Sequence, residues 1–268
     1  MEAPKIARLS ARRAAAVLIA VGCLLAGIDA GSALEISHRG LSLGPNDLWR
    51  VVTYVCGTTA TVGVPYPCSD VTPATDREPG RATLVVGSGH VLTVPLRRMV
   101  GIEAPAFLAP ESAAYWQAAW HARDLVAADA GRPLDRSEVA LAVNSKMGRS
   151  QNQLHIHTAC VRPEVVAAIE ADRDRIGDDW VVLRRPIEGV LFSARRVTTP
   201  DLATVNVAAL LPESIRRAPA AMARQTLVVV GAKFDHGRDG FWVLNVQASS
   251  RFQAHGESLL DFDCGRRP

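Results

Sequence analysis

The chain has 268 residues, of which 48% are hydrophobic and 21% are charged, a composition typical of a folded globular protein rather than a disordered or fibrous one. The formal net charge is only +3, and no basic stripe with interleaved aromatic residues appears, which argues against a nucleic-acid partner. The length is enough for one large domain or two small ones with a self-sufficient core.

The first 33 residues have the layout of an export signal. A basic front precedes an uncharged apolar run from Ala14 to Ile28, and small residues follow up to Ala33. The basic residues are Lys5, Arg8, Arg12 and Arg13. The run is shorter than the roughly 20 residues that span a bilayer. Cleavage after Ala33 is therefore expected, and an uncleaved membrane anchor is the open alternative.

Four cysteines follow the signal, namely Cys56, Cys68, Cys160 and Cys264. An even number in an oxidising compartment favours two disulfides over free buried thiols. Of the three pairings that four cysteines allow, Cys56–Cys68 with Cys160–Cys264 is preferred, because the first bridge would close a loop rich in proline and glycine. The second bridge would tie the region around Cys160 to the C-terminus.

The first half of the chain predicts a helix, a turn-rich stretch, a hairpin and a second helix. The segment "DLWRVVTYVC" has helical spacing, and residues 57–80 are rich in turns. The segment "RATLVVGSGHVLTVPLRRMVGI" predicts two strands joined by Gly-Ser-Gly. Pro110 to Ala130 is the clearest helix, with Trp116 and Trp120 on its core face.

The second half is richer in strands. "EVALAVN" and "QLHIHTACV" predict strands on either side of the loop "SKMGRSQN", and a helix should start at Pro163 and run to about Arg173. Further strands are expected at "WVVLRRP", "QTLVVVGAKF" and "FWVLNVQ", with a helical piece from Asp201 to Leu211. This order predicts an α+β fold with an antiparallel sheet and a strand-rich C-terminal extension.

The strand "QLHIHTACV" carries the densest polar chemistry. Side chains two apart on a strand share a face, so Gln153, His155 and His157 should lie opposite Leu154 and Ile156. The preceding loop offers hydroxyl and backbone N–H donors that suit a phosphate. Neutral imidazole can act as a nucleophile near neutral pH, so the pattern indicates phosphate chemistry at a histidine.

Zinc is the alternative for the His-x-His pair, because one strand would supply two ligands. A zinc site needs a third protein ligand, and four other available histidines lie in no recognisable metal motif. These are His90, His121, His236 and His255. The glycines before His90 favour a turn position for it, and "DRDRIGDDW" reads as a solvated helix end. Asp261 and Asp263 would approach the histidines only if Cys264 bridges Cys160.

The segment "NSKMGRSQNQLHIH", from Asn144 to His157, resembles the active-site segment of the histidine triad (HIT-like) superfamily. In that superfamily an asparagine ends one strand, a Gly/Ser loop follows, and alternating histidines occupy the next strand. The export signal, the length and "SQNQLHIH" resemble more specifically the bacterial CDP-diacylglycerol pyrophosphatases, over most of residues 35–268. The C-terminal "GESLLDFDC" adds to this resemblance without an evident mechanism.

The resemblance implies a HIT-like fold and a metal-independent nucleotidyl transfer in two steps, without a cofactor. The central triad member attacks the α-phosphorus, and water then releases the nucleotide. If Gln153 takes the first triad position, His155 is the nucleophile and His157 the third member. The alternative register makes His157 the nucleophile but leaves Ala159 in the third place, where it cannot hydrogen-bond a phosphate.

The other site residues follow from the favoured register. Glutamine at position 153 cannot titrate, so it would hold a neighbour or the substrate, and His157 becomes the better proton donor. Asn144 would orient an imidazole or a ribose hydroxyl. Ser150 would bind a phosphate oxygen, and Lys146 would neutralise the second phosphate, although it could equally be a solvated loop lysine. Arg149 has the same two interpretations.

The resemblance predicts an enzyme that hydrolyses CDP-diacylglycerol to CMP and phosphatidate, at the periplasmic face of the bacterial inner membrane. Small members of the superfamily form dimers, which leaves a homodimer open. Two other functions stay open. One is a periplasmic hydrolase of soluble nucleoside diphosphate derivatives, and the other is a binding module for nucleotides or lipids that has no activity.

Overall fold

A computed structural model describes residues 44–265, so the predicted export signal lies outside the described part of the chain. The ten strands in this part form one sheet in which every pairing is antiparallel. They are β1 (Asp70–Thr72), β2 (Arg81–Gly87), β3 (His90–Pro95), β4 (Val139–Val143), β5 (Ile156–Val161), β6 (Val181–Val182), β7 (Ser193–Val197), β8 (Gln225–Lys233), β9 (Asp239–Gln247) and β10 (Leu260–Asp261).

Helices connect and cover these strands. The first, α1, is continuous over three segments with π-helical hydrogen bonding in the middle one: Asp47–Arg50, Val51–Cys56 and Gly57–Ala60. The others are α2 (Ala113–His121), α3 (Arg123–Ala130), α4 (Pro163–Glu170), α5 (Glu213–Arg216) and α6 (Pro219–Met222). Short 3-10 helices lie at Pro105–Leu108, Pro110–Ser112, Arg136–Glu138, Val207–Leu210, Asp235–Gly237 and Gly256–Leu259. Among residues 44–265, none of the helices combines the length and apolarity needed to cross a bilayer.

The sheet runs in the order β1-β2-β3-β5-β4-β8-β9-β7-β6, and β10 pairs with β5 beside β3. The predicted α+β class with an antiparallel sheet is therefore confirmed. The strands expected as a C-terminal extension belong to the same sheet, because β8 pairs with β4 from Ala140↔Val230 to Val143↔Leu227. The histidine-bearing β5 thus lies well inside the sheet, between β3 and β4.

Alternation along the central strands places apolar side chains on both faces of the sheet. On one face, Leu141 and Ile156 pack against Trp116 and Trp120 of α2, so the prediction that these tryptophans belong to the core is confirmed. On the other face, alanines and valines of β4, β5 and β8 pack against α4 and the C-terminal segment. This second face also carries the two histidines.

Several element boundaries differ from the sequence prediction. The helix expected over Pro110–Ala130 is interrupted at Ala122, where α2 ends before α3 begins. The strand expected at "WVVLRRP" is only the two residues of β6. The stretch "DRDRIGDDW" is not wholly solvated, because Asp172 is buried and holds Arg175 and Arg184 in ion pairs. A backbone hydrogen bond from Arg184 and these cations hold the pKa of Asp172 well below its usual range.

Both preferred disulfides are present. Cys56 bonds Cys68, and Cys160 bonds Cys264 across a sequence separation of 104 residues. The second bridge reinforces the pairing of β10 with the end of β5, where Asp261 lies opposite Cys160. The C-terminal segment is therefore fastened directly to the histidine strand, as the sequence predicted.

The β2–β3 hairpin also contacts this C-terminal segment. Its turn residue Gly89 has φ +57°, and a Cβ there would lie 2.2 Å from the carbonyl oxygen of Phe262. Any other residue would be both strained and in collision with the backbone. The hairpin thereby brings His90, at the start of β3, and Phe262 together, with ring centroids 4.1 Å apart.

Candidate active site

His155 and His157 lie on the same side of the sheet, with ring centroids 4.7 Å apart. His157 is within β5, opposite Leu92 of β3 and Ala142 of β4. His155 immediately precedes the strand, which begins at Ile156 rather than at the predicted Gln153. Both imidazoles are buried, with 8% and 4% of the residue exposed. The predicted shared face is therefore correct for the two histidines.

His155 has a single tautomer in this setting. Its Nδ1 lies 2.7 Å from the carbonyl oxygen of Gln153, and because a carbonyl only accepts, Nδ1 carries the proton. Burial lowers the pKa of His155, and the Arg149 charge lowers it further, against the opposing effect of the Gln153 carbonyl. The imidazole is thus neutral at pH 7 with the lone pair on Nε2, the form that a nucleophile requires.

His157 has polar neighbours at both ring nitrogens. Its Nδ1 lies 2.9 Å from Nε2 of His90 and 3.4 Å from Oε2 of Glu257. Its Nε2 lies 3.5 Å from the Asn144 amide nitrogen. Burial lowers the pKa of His157 well below its usual value, and the charges of His155 and His90 act in the same direction. Burial likewise lowers the pKa of His90 to about 4.

Asn144 is held in one orientation by the 3-10 helix Gly256–Leu259. Its Oδ1 accepts hydrogen bonds from the backbone N–H groups of Gly256 at 2.7 Å and Glu257 at 3.2 Å. The amide nitrogen must therefore point the other way, and it donates to Oε1 of Glu257 at 3.1 Å and contacts Nε2 of His157. The expectation that Asn144 orients an imidazole fits this placement.

Arg149 forms a buried ion pair. Its guanidinium donates to both carboxylate oxygens of Glu103, at 2.7 and 2.8 Å, and only 4% of its side chain is exposed. Burial alone would raise the pKa of Glu103, but the Arg149 hydrogen bonds lower it overall. Arg149 is therefore not a solvated loop residue. Its positive charge contributes to the lowered pKa of His155.

Gln153 is fully buried, and its amide contacts the backbone that follows β3. Its Nε2 donates to the carbonyl oxygens of Pro95 at 2.9 Å and Arg97 at 3.0 Å. Its Oε1 accepts from the N–H of Met99 at 3.2 Å. These bonds fix the backbone that leads into His155. The Gln153 amide is fully engaged by the protein, so this side chain supports the start of the histidine strand.

Lys146 and Ser150 are exposed on the loop between β4 and β5. The loop itself is rigidly held, because Ser145 donates from Oγ to the carbonyl of Gln253 and accepts from the N–H of Gly148. A Cβ at Gly148 would lie 2.8 Å from the carbonyl oxygen of Ala254, so glycine permits this close approach. The loop donors are thus presented to solvent on a fixed backbone.

Two residues beside the histidines were not assigned to the site from sequence. His90 was expected on a turn, but it starts β3 and stacks between His157 and Phe262, with ring centroids 5.1 and 4.1 Å away. Glu257 lies in the segment "GESLLDFDC". The predicted Cys160–Cys264 bridge could have indicated that this segment lies close to the histidines. Asp261 instead accepts backbone hydrogen bonds within the C-terminal turn.

The described residues include no group of three or more histidine, cysteine or carboxylate side chains arranged to hold a metal ion. Outside the site, His121 hydrogen-bonds Gln117 on α2, and His236 occupies a left-handed position in the β8–β9 connection. Among the described histidines, His90, His155 and His157 lie together at the site, and His255 lies on the C-terminal segment, 4.0 Å from Glu257.

Comparison with known proteins gives this arrangement a family. The family model for CDP-diacylglycerol pyrophosphatase matches residues 43–267. The chain belongs to this family. A relative from Yersinia pestis, a CDP-diacylglycerol pyrophosphatase, is 31% identical over 223 residues, which cover 81% of this chain and 83% of the relative. The resemblance to the CDP-diacylglycerol pyrophosphatases is confirmed, and the match includes the C-terminal segment that contains Glu257.

Proposed function

We propose that the protein hydrolyses the diphosphate bond of CDP-diacylglycerol, giving CMP and phosphatidate through a nucleotidyl intermediate on His155. The observation that carries the mechanism is the 2.7 Å hydrogen bond from His155 Nδ1 to the Gln153 carbonyl, which leaves Nε2 unprotonated. The substrate follows from the family to which the chain belongs. The use of a histidine strand after an asparagine supports a HIT-like fold.

In the first step, Nε2 of His155 forms a bond to the α-phosphorus of the substrate. The bond from this phosphorus to the bridging oxygen breaks, and the electron pair leaves with phosphatidate. Burial keeps the His155 imidazole neutral, so no proton has to be removed from it before the attack. The positive charge that develops on the ring is stabilised by the carbonyl oxygen of Gln153 at Nδ1.

In the second step, water attacks the same phosphorus, and the bond to Nε2 of His155 breaks. The electron pair returns to Nε2, which restores the nucleophile for the next cycle. His157 lies beside His155 on the same face and has a neutral ring, so it can take a proton from the attacking water.

The remaining residues divide into binding and positioning groups. Lys146 and Ser150 are exposed on the loop before β5, where an ammonium and a hydroxyl can reach phosphate oxygens. Arg149 adds positive potential while bound to Glu103. Asn144 and Gln153 have their amides engaged by the protein, so we assign them to positioning His157 and His155 rather than to direct substrate contacts.

The substrate has two acyl chains, which places the reaction at a membrane surface. The basic and apolar pattern of residues 1–33 supports export to the periplasmic face of the inner membrane, with the signal cleaved or kept as an anchor. The first described residues contact the loop before β5, because the N–H of Asn152 donates to the carbonyl of Pro45 at 2.5 Å.

The test is a metal-free assay on CDP-diacylglycerol in detergent micelles that follows CMP, phosphatidate and covalent nucleotidyl-protein together. Wild type is compared with His155→Ala, His157→Ala and the control His121→Ala, whose ring lies on α2 away from the site. We expect His155→Ala to form no covalent intermediate and no product. His157→Ala should lose about 100-fold, the scale of one acid–base group, and the control should match wild type.

Complete loss in His157→Ala, with activity left in His155→Ala, would move the nucleophile to His157. Turnover of soluble CDP derivatives without preference for the lipid would favour the periplasmic hydrolase of soluble nucleotides. Ligand binding without turnover, unchanged by His155→Ala, would leave only the binding module.

A further inference from the structure

Glu257 contacts the side of His157 that the two reaction steps leave unexplained. Its carboxylate contacts both Asn144 and His157. Oε1 lies 3.1 Å from the Asn144 amide nitrogen, and Oε2 lies 3.4 Å from Nδ1 of His157. About 35% of its side chain is exposed, whereas His157 exposes 5% of its own. Glu257 therefore joins a buried imidazole to solvent.

The tautomer of His157 follows from the orientation of Asn144. Two backbone N–H groups occupy the Asn144 oxygen, so its NH₂ group faces Nε2 of His157, which must be the unprotonated nitrogen. The His157 proton is then on Nδ1, which faces Glu257 and His90. At 3.5 Å the Asn144 contact is at the limit of a hydrogen bond, so a water molecule can replace it at Nε2.

Hydrolysis of a diphosphate creates a proton problem for a buried site. One water is consumed, and its protons must be released because both phosphate products are more acidic than water. His90, His155 and His157 cannot keep a proton, since burial lowers the pKa of each of them. Gln153 occupies the first triad position and does not titrate. The proton needs another group with access to solvent.

We propose that Glu257 takes the proton of the attacking water from His157 and passes it to solvent. Water transfers a proton to Nε2 of His157 as its oxygen bonds to phosphorus, and the His155–phosphorus bond breaks toward His155. The proton on Nδ1 of His157 moves at the same time to Oε2 of Glu257, which later releases it. Glu257 acts through His157 and is therefore a positioning residue, and its role rests on the proposed function.

His90 is the nearer acceptor, at 2.9 Å from His157 Nδ1, but it is a weaker outlet. Its ring is enclosed by His157 and Phe262, and its pKa of about 4 disfavours protonation. The pKa of Glu257 is raised, first by burial, with opposing effects from Asn144 and His255, so its carboxylate is a better proton acceptor than an ordinary one.

The groups that face Glu257 come from the sheet and from its own C-terminal segment. His157 of β5 and Asn144 at the end of β4 face it from the sheet, and His90 of β3 lies behind His157. On its own segment, His255 Nδ1 is 4.0 Å from Oε1. The Glu257 side chain is itself about 35% exposed, so water can take the proton from its carboxylate directly.

The experiment separates the two steps by rapid quenching with CDP-diacylglycerol labelled in the cytidylyl group. In Glu257→Gln, formation of the nucleotidyl-protein should stay within about twofold of wild type. Its hydrolysis should slow by about 10- to 100-fold, within the range of acid–base catalysis. The covalent intermediate should then accumulate during turnover. Glu188→Gln is the matched control, because Glu188 accepts from Ser258 of the same 3-10 helix and touches neither histidine.

A merely structural role for Glu257 would slow both steps together or change only KM, and either result would overturn the proposal. Chemical rescue of a second variant provides an independent test if Glu257→Gln folds poorly. In Glu257→Ala, added formate should restore hydrolysis of the intermediate, while the same formate should leave Glu188→Ala unchanged. No rescue in a folded Glu257→Ala protein would also refute the relay. Absence of any covalent intermediate in wild type would instead refute the proposed function.

Discussion

His155, just before β5, and His157, within it, lie on the same side of the sheet but have different surroundings. His155 is held by its own chain through the Gln153 carbonyl, and the Gln153 side chain is in turn bonded to backbone groups that precede β4. His157 is held by the C-terminal segment through Asn144 and Glu257. One ring has its proton held by a carbonyl and its other nitrogen open, whereas the other ring has a carboxylate and a second imidazole at Nδ1.

This difference assigns the two rings different chemistry. A nucleophile needs one lone pair at a fixed place, which the single hydrogen bond at His155 provides. An acid–base group needs a partner that can take its proton, and Glu257 and His90 lie at Nδ1 of His157. The two supports come from distant parts of the sequence, so they can be weakened separately.

The largest stability effect is expected from the buried ion pair between Glu103 and Arg149. Glu103→Gln leaves Arg149 as a cation with 4% side-chain exposure and no carboxylate partner. Removing one partner of a buried ion pair lowers the free energy of unfolding by roughly 3–5 kcal/mol. Unfolding in urea measures this loss. Adding Arg149→Gln should recover part of this loss in a double-mutant cycle, and strict additivity would show that the two side chains do not interact.

The support of His157 should depend on the Cys160–Cys264 bridge. Replacing both cysteines by serine removes a crosslink with a sequence separation of 104, against 12 for Cys56–Cys68. Loop-closure entropy predicts a loss of roughly 2–5 kcal/mol, about 2 kcal/mol more than for the matched double replacement of Cys56 and Cys68. Hydrolysis of the nucleotidyl intermediate should suffer more than its formation. Equal slowing of both steps would contradict a separate support.

The buried histidines should make stability fall as the pH falls. The pKa of His90 is lowered to about 4, so between about pH 6.5 and pH 4 the unfolded chain binds a proton that the folded protein does not. Stability is then complete above about pH 6.5 and decreases below it, by at most about 3 kcal/mol for this residue. Unfolding of wild type and His90→Gln in urea across this range checks the sign, since the variant should have a flatter profile.

Local pattern was enough to predict much of this architecture. The short apolar run in "EVALAVN" and the alternation in "QLHIHTACV" predicted β4 and β5, because these local patterns need no distant information. The same alternation placed His155 and His157 on one face. The disulfides could be predicted because four cysteines allow only three pairings.

The polar partners of the histidines could not be predicted in this way. Glu257 reaches Asn144 across 113 residues, and His90 reaches His157 across 67. Nothing near His90 distinguishes a turn position from the start of a strand that stacks on the site. The register of β8 on β4 brings the C-terminal half into the same sheet, and that pairing is set by packing on both faces rather than by local sequence.

Gln153 provides the smallest expected effect in this comparison, and its position is the one at which the predicted resemblance to the histidine triad pattern would place a histidine. Its three hydrogen bonds to the backbone of Pro95, Arg97 and Met99 require two donors and one acceptor on one side chain. A neutral imidazole has only one donor, so Gln153→His should leave at least one buried carbonyl unpaired. The expected loss is about 1–3 kcal/mol in the free energy of unfolding. Nucleotidyl transfer should not improve, because the added ring would be engaged by the backbone. A stable Gln153→His variant with faster transfer would instead mean that this position faces the substrate.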